Sequence, residues 1–339
     1  MKVLITGATG FVGERYVQHL ATTRSDIKLH FCGRQLEAGN ALAAATGSHF
    51  FRGDLLDMPF VQHICKDIDG VVHCAGRAGA WGDYELYYRD NVTATENLLR
   101  ACLGAGVRRF VNLSSPSIYF DFRDRLNVME NFLPDRFADN YARTKYQAET
   151  RVANAHSDQL RTLSLRPRMV LGPGDRNFFP RMIDMQRSGQ LRRIGDGTNI
   201  VSATHIDNLL QAMDCALFGP DSVTGDVYNI ADTQPYSIWG MVDRLLKAVE
   251  LPPVTRQVAY SAAMLGAGAV ETGCRLLRRE QEPRLMRLKV ALLARSFTLN
   301  TDKARRKLGY RPAASVDTAI AEFAQDWLRQ HPPGAQIAV

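Results

Sequence analysis

The sequence predicts an α/β fold built on a doubly wound parallel sheet, with a smaller, discontinuous C-terminal substrate domain, on three observations. Short apolar runs alternate with longer segments of helical period from the first residues onward. A glycine triplet, Gly7, Gly10 and Gly13, separates the first run from the first helical segment. After Pro167 the pattern breaks off, resumes, and breaks off again. Such alternation places helices on both faces of parallel strands, which are then buried on both sides.

Taken in order, residues 2–6, 28–32, 70–73, 109–113, 160–166 and 226–230 read as strands, with one further run ahead of Gly53. β-Branched and aromatic residues there are bounded by Gly, Pro or polar turns. Residues 84–103 and 140–155 carry helical period. A turn cluster, Gly172-Pro173-Gly174-Asp175, precedes a helix over 178–188, and residues 199–203 and 206–217 return to the first domain before the chain leaves it after Asp232. The expected division is 1–172 with 199–232 for the dinucleotide and 173–198 with 233–331 for the substrate; the Pro-, Gly- and Ala-rich tail 332–339 is expected to be disordered.

At 339 residues, 45% hydrophobic and 23% charged, the chain has ordinary globular composition, which excludes disordered, collagen-like and disulfide-scaffold classes. Its six cysteines form neither a CxxC pair nor a cluster with histidine, so no metal site and no disulfide framework are expected. A reducing, cytoplasmic location follows. The first apolar run is cut short by Gly7, which leaves no room for a signal-peptide core. Net charge is +7, yet residues 275–311 hold twelve basic and three acidic residues, a local excess of nine. That stretch is either a solvated face or a footprint for an anionic surface. Ahead of it, thirteen of the twenty residues 258–277 are apolar, but Glu271 and Arg275 make spanning a bilayer unfavourable. The helix either packs in the second domain or, with the basic stretch to 311, contacts an anionic membrane surface peripherally. No nucleic-acid partner is expected.

The motifs carry the chemistry. Thr6-Gly7-Ala8-Thr9-Gly10-Phe11-Val12-Gly13 follows a strand and opens a helix, where missing side chains let the backbone approach a pyrophosphate held at the helix N-terminus. The second strand ends in Cys32-Gly33-Arg34 rather than in an acid. An arginine fork with no nearby carboxylate suits a 2′-phosphate, which favours NADP(H) over NAD(H); stacking of Arg34 on an adenine is its other available role. Asp54 either holds an adenine amino group or caps the next helix. Cys74-Ala75-Gly76 offers small residues where a cofactor lies close, and Asn91 is a polar anchor beneath the lysine. Tyr141 and Lys145, at i and i+4 on one helix face, pair a phenol with an ammonium that favours the phenolate. Ser114-Ser115-Pro116-Ser117 brings hydroxyls to the carboxyl edge of the sheet.

In this order, Gly7-x-x-Gly10-x-x-Gly13, Asp54, Ala75-Gly76, Asn91-Val92, the serine pair, Tyr141-x-x-x-Lys145 and Arg166-Pro167 with Gly172-Pro173-Gly174 resemble the extended short-chain dehydrogenase/reductase family over nearly the full length. The resemblance implies a Rossmann-like fold, with Tyr141 as acid/base, Lys145 binding the nicotinamide ribose and lowering the tyrosine pKa, and Ser115 bonding the substrate oxygen, four residues before Tyr119. Ser117 is the secondary candidate. It further implies cofactor contacts from Gly7, Thr9, Gly10, Phe11, Val12, Gly13, Arg34, Asp54, Leu55, Ala75, Gly76, Asn91, Tyr141, Lys145 and Pro167, and a homodimer. The stretch from Arg295 to Pro312 is similar to the 3β-hydroxysteroid dehydrogenase branch, and Ser-Pro-Ser to bacterial 2-alkyl-3-oxoalkanoate reductases. Sugar-nucleotide epimerases usually carry an asparagine where this chain reads Arg166-Pro-Arg-Met-Val-Leu171. The expected function is therefore NADP(H)-dependent interconversion of a ketone and a secondary alcohol on an apolar β-keto acid, thioester or steroid-like substrate. The alternative is an epimerase or dehydratase with tightly bound NAD(P) acting on a nucleotide-sugar.

Overall fold

The first and fourth strands bury both of their faces, and a computed structural model, which describes residues 1–279 and 281–331, shows what covers them. The expected disordered tail, 332–339, lies outside the described residues. The chain runs β1 (Lys2–Thr6), α1 (Phe11–Thr23), β2 (Lys28–Gly33), α2 (Leu36–Thr46), β3 (His49–Arg52), α3 (Met58–Cys65) and β4 (Gly70–His73). Helix α4 (Tyr84–Tyr87) passes through a π-helical turn, Tyr88–Thr93, into α5 (Ala94–Ala105), followed by β5 (Arg109–Leu113), β6 (Arg125–Val128), α6 (Asn140–Asn154) and β7 (Arg161–Pro167). Then come β8 (Val170–Leu171), α7 (Phe178–Arg187), β9 (Arg193–Ile194), β10 (Ile200–Val201), β11 (Thr204–His205), α8 (Ile206–Phe218) and β12 (Val227–Ile230). The rest is β13 (Tyr236–Ser237), α9 (Ile238–Ala248), β14 (Gln257–Val258), α10 (Tyr260–Leu276), α11 (Arg287–Ala294), β15 (Phe297–Leu299) and α12 (Val316–Gln330).

Seven strands form one parallel sheet in the order β12-β7-β5-β4-β1-β2-β3, so the predicted Rossmann-like architecture is the observed one. Alternation along β1 divides its burial. Val3 and Ile5 face a core with Tyr16, Val17 and Leu209, while Leu4 faces a second core with Val61, Leu98 and Phe110. The strand expected at 160–166 runs one residue later, because Pro167 still pairs with Ile230 of β12. The helix expected at 84–103 is interrupted by the π turn, a one-residue insertion that re-aims the side chains on it.

Away from the large sheet, α7, α9 and α12 enclose Phe179, Trp239, Leu245 and Phe323, and a four-stranded sheet runs β13-β10-β15-β6. Two stretches interleave the units more than a simple division would. Strand β6, from the first half of the chain, pairs with β15, and Ala304, Leu308 and Tyr310 pack into the core of β1 and α8.

One buried polar network ties α6 to both sheets. The Glu149 and Arg166 side chains are each only 5% exposed, and the Arg166 fork donates through Nε and Nη2 to the two carboxylate oxygens. Its Nη1 donates to Tyr119 and to the Glu130 carbonyl. Tyr119 in turn donates to Asn229 Oδ1 at 2.8 Å, and Asn229 Nδ2 donates to the Val128 and Asn300 carbonyls. Every strong donor on the guanidinium's business edge is thus matched, the condition under which a buried charge is tolerated. Removing one partner leaves the other charge buried and alone, so Arg166→Leu should cost about 3–5 kcal/mol in urea melts. The double variant Arg166→Leu/Glu149→Leu should recover a clear part of that loss; equal loss in single and double variants would show that the pair is not what holds α6.

Candidate active site

The floor of the site is the carboxyl edge of the large sheet. Gly7 sits at φ +68°, and a Cβ there would lie 2.6 Å from the Ala75 backbone nitrogen, so the first loop and the end of β4 touch without side chains between them. At Gly13 a Cβ would come within 2.5 Å of the Gly7 carbonyl oxygen, which presses α1 against the loop. No side chain caps the N-terminus of α1 at Gly10. Uncapped first-turn amides beside a loop stripped of side chains are a fit for a dinucleotide pyrophosphate. Thr9 packs against Gly33, and its carbonyl accepts from Arg176 Nη1 at 3.3 Å. Phe11 packs under Gly174, and Val12 is half-buried beside it.

Arg34 is exposed at the end of β2. The expectation that no carboxylate lies near it fails: Glu37 follows three residues later in the chain, and Asp54 Oδ2 is 3.8 Å from Arg34 Nη1. Parallel neighbours bring the residue after β3 alongside the residue after β2. Both side chains are largely solvated, so the pair is weak. Asp54 Oδ1 accepts from the Leu56 amide at 3.0 Å, and the residue preceding α3 is Asp57, so Asp54 closes a turn rather than capping that helix. Leu55 is buried behind it, its carbonyl accepting from Asn97.

The second half of the site is built by α6. Asp139 caps its first turn, accepting from the Ala142 amide at 2.7 Å, and Tyr141, Lys145 and Glu149 follow at four-residue intervals on the face against the sheet. Lys145 Nζ donates to the Leu113 carbonyl at the end of β5, at 2.7 Å. Burial pulls its pKa down to about 8, against the raising influence of Glu149 and Cys74. A Cβ on Gly76 would lie 3.1 Å from Asn91 Oδ1 and 3.9 Å from Lys145 Nζ, so these three groups meet. Asn91, on the π turn, is not a direct partner of the lysine. It accepts from the Arg77 amide and donates to Thr144, joining the loop after β4 to α6.

Ser115 follows β5, its Oγ accepting from the Ser117 amide at 3.2 Å. Tyr141 is raised above its ordinary pKa by burial first, with the Ser115 hydroxyl pulling it down and Asp139 pushing it up. Burial is the largest of these influences, and the net direction is upward. Tyr141 is therefore a protonated phenol at neutral pH, a proton donor facing a serine hydroxyl. Ser117 keeps a buried Oγ without a partner, and Pro167 ends β7, one strand beyond the serines.

Sequence reasoning missed a chain of polar groups under this floor. Thr6 Oγ1 meets His73 Nδ1 at 2.7 Å, His73 Nε2 meets Thr95 Oγ1 at 3.0 Å, and Thr95 donates to the Asn91 carbonyl at 2.6 Å. Burial and Lys145 take His73 down to about 3, so it is a neutral bridge. The available signal was polar residues closing otherwise apolar strands. Asp139 was missed as well: burial raises its carboxyl to about 6, against the Ala142 amide bond. A carboxyl raised in the folded state is stabilising below its unfolded pKa and loses that contribution as pH climbs through about 6. Asparagine keeps the cap and removes the charge. Asp139→Asn should therefore melt above the wild type at pH 8 and together with it near pH 4; a difference independent of pH would refute the assignment.

Residues 3–231 match the model of the NAD dependent epimerase/dehydratase family. A 2-alkyl-3-oxoalkanoate reductase of Stenotrophomonas maltophilia is 33% identical over 336 residues, covering 94% of this chain and 97% of that protein. The mouse sterol-4-alpha-carboxylate 3-dehydrogenase, decarboxylating, is 27% identical, covering 96% of this chain and 91% of its own. Among solved structures, UDP-glucuronic acid 4-epimerase from Bacillus cereus in complex with NAD superposes with a TM-score of 0.77 at 23% identity, over 97% of this chain and 99% of that one.

Proposed function

Because the chain belongs to the NAD dependent epimerase/dehydratase family, as an extended short-chain dehydrogenase/reductase and an oxidoreductase, we propose that it reduces the ketone of an apolar β-keto acid, thioester or steroid-like substrate with NADP(H). The observation that carries this reading is the placement of Tyr141 against the Ser115 hydroxyl at the sheet edge, with Lys145 on the same helix face fixed to the Leu113 carbonyl. Tyr141 donates its proton to the carbonyl oxygen, and Ser115 donates a hydrogen bond to the same atom, so donors are aimed where negative charge develops. Lys145, anchored on Leu113, would hold a ribose hydroxyl of the bound cofactor and would set positive charge beside the phenol once Tyr141 has given up its proton. A nicotinamide, when bound, supplies the hydride to the carbonyl carbon. The apolar cluster of Phe120, Phe122, Phe132 and Phe137 supports an apolar substrate; beside it a cavity of about 490 Å³ mixes Phe122, Phe132, Leu133 and Phe137 with the charged Asp121, Arg123, Arg125, Asp135 and Arg136.

The names of the two relatives describe substrates with a carboxylate on the carbon next to the reacting one, which favours the β-keto acid over the other two classes. The nucleotide-sugar alternative, with a cofactor retained and regenerated each turn, draws on the epimerase neighbours; added NADPH that stays unconsumed while a UDP-sugar isomerises would select it. We further infer that 1–172 with 199–232 bind the dinucleotide and 173–198 with 233–331 the substrate, that the chain pairs as a homodimer through α5 and α6, and that it works in the cytoplasm.

No described helix is long and apolar enough to cross a membrane. Helix α10 nevertheless turns Leu265, Leu276 and Leu277 outward at 78%, 79% and 68% exposure, next to Arg275 and Arg278, while Glu271 is turned inward onto Arg287. This supports peripheral contact of 258–311 with an anionic bilayer. Co-sedimentation with anionic but not neutral vesicles, weakening with salt, is the expected result, and its absence removes the membrane contact alone.

NADPH oxidation is the direct test of the chemistry. Tyr141→Phe should lose more than nine-tenths of turnover while NADPH binding stays nearly unchanged, whereas Arg34→Ala should raise the KM for NADPH about tenfold, the loss of one charge-assisted bond, and leave that for NADH unchanged. Wild-type use of both cofactors with equal efficiency would overturn the NADP(H) preference, and retained turnover in Tyr141→Phe would overturn the mechanism.

A further inference from the structure

Arg168 is a charged group at the sheet edge that the scheme above leaves unused. It follows Pro167 at the carboxyl end of β7, and β7 is the direct neighbour of β5, with Leu113 opposite Leu165 and the Ser114 amide donating to the Leu165 carbonyl. Residues leaving these two strands therefore emerge side by side, Ser115 on one and Arg168 on the other. Its guanidinium lies over the Phe297 ring, 5.0 Å from the centroid, against the apolar cluster. Nε and Nη2 are closed off from solvent and have no hydrogen-bond partner among the described residues. Burial alone depresses its pKa, to about 10, with no carboxylate contributing. By contrast, Arg166, two residues earlier, has every one of its donors matched.

A guanidinium stays charged at any physiological pH, so an arginine with shut-in, unpartnered donors is an uncompensated cation. Folding gains nothing from it. Its donors await an anion that the chain itself does not provide, and a planar fork is matched to a carboxylate. From the geometry we infer that Arg168 receives the carboxylate of a 3-oxo acid whose ketone is held by Tyr141 and Ser115. This rests on the ketoreductase reading above and narrows it. A single unpaired positive charge also matches a monoanion better than the diphosphate of a nucleotide-sugar.

The test pairs a 2-alkyl-3-oxoalkanoate with its methyl ester, which keeps the ketone and chain and removes the charge. In the wild type kcat/KM for the acid should exceed that for the ester, mainly through KM. In Arg168→Gln the acid should fall about 100-fold and the acid-to-ester ratio should drop to about one. Arg168→Lys, which keeps the charge without the fork, should recover part of the acid's efficiency and guards against a fold defect in the glutamine variant. Acid and ester falling together in both variants would overturn the proposal. Calorimetric binding of the 3-hydroxy acid in the presence of NADP⁺ gives a readout that does not need turnover. Binding lost in Arg168→Gln supports the carboxylate role even if neither substrate consumes NADPH, an outcome that would overturn only the ketoreductase reading. Unchanged binding of the acid, or loss of UDP-glucose binding instead, would overturn the role of Arg168.

Discussion

The burial of one ion pair constrains the rest of this protein. Arg166 on β7 and Glu149 on α6 are shut away together, and the helix that carries Glu149 also carries Tyr141 and Lys145 on the same face. A charge that cannot reach water is stable in one geometry only, so α6 has little freedom to slide or roll. Tyr119 and Asn229 extend the same constraint to β12 and to the carbonyls of Val128 and Asn300. The position of the phenol is thereby held by a polar network some two helical turns away from it as well as by the contacts of Asp139, Thr144 and Lys145 at the reacting end.

Burial also sets the chemistry, and it acts differently on each group. It keeps Tyr141 protonated, brings Lys145 toward neutrality, makes His73 a neutral bridge and raises Asp139. An acid, a weakly held cation and a silent imidazole share a few ångströms because each is desolvated to a different net effect once its partners are included. Two arginines on one strand end illustrate the same point from the other side: Arg166 is compensated within the chain, and Arg168 is not.

What was legible in the sequence was what is local in the chain. The glycine turn, the spacing of Tyr141 and Lys145, and the serines ending β5 depend on neighbours a few residues away, and the strands could be read because a strand buried on both faces is continuously apolar. What depends on tertiary neighbours was not legible. Asp54 comes beside Arg34 only because β2 and β3 are adjacent, and no spacing rule announces that. The i, i+4 spacing of Tyr141 and Lys145 says nothing of how deeply the phenol is buried, and burial is the largest influence on it. Asn91 lies beside Gly76 and Lys145, but its bonds to Thr144 and the Arg77 amide depend on tertiary neighbours that no spacing announces.

The pairing of β6 with β15 bears on the order in which the protein is made. The segment between Ser115 and Asp139 is held down by a strand whose partner, Phe297–Leu299, is synthesised some 170 residues later. Strands β1 to β5 with their helices can assemble on the ribosome long before that. The glycine loop is then formed early in a nascent chain, while the reactive end waits for its last strand. A chain released before that strand emerges would lack the partner that fastens the segment between Ser115 and Asp139.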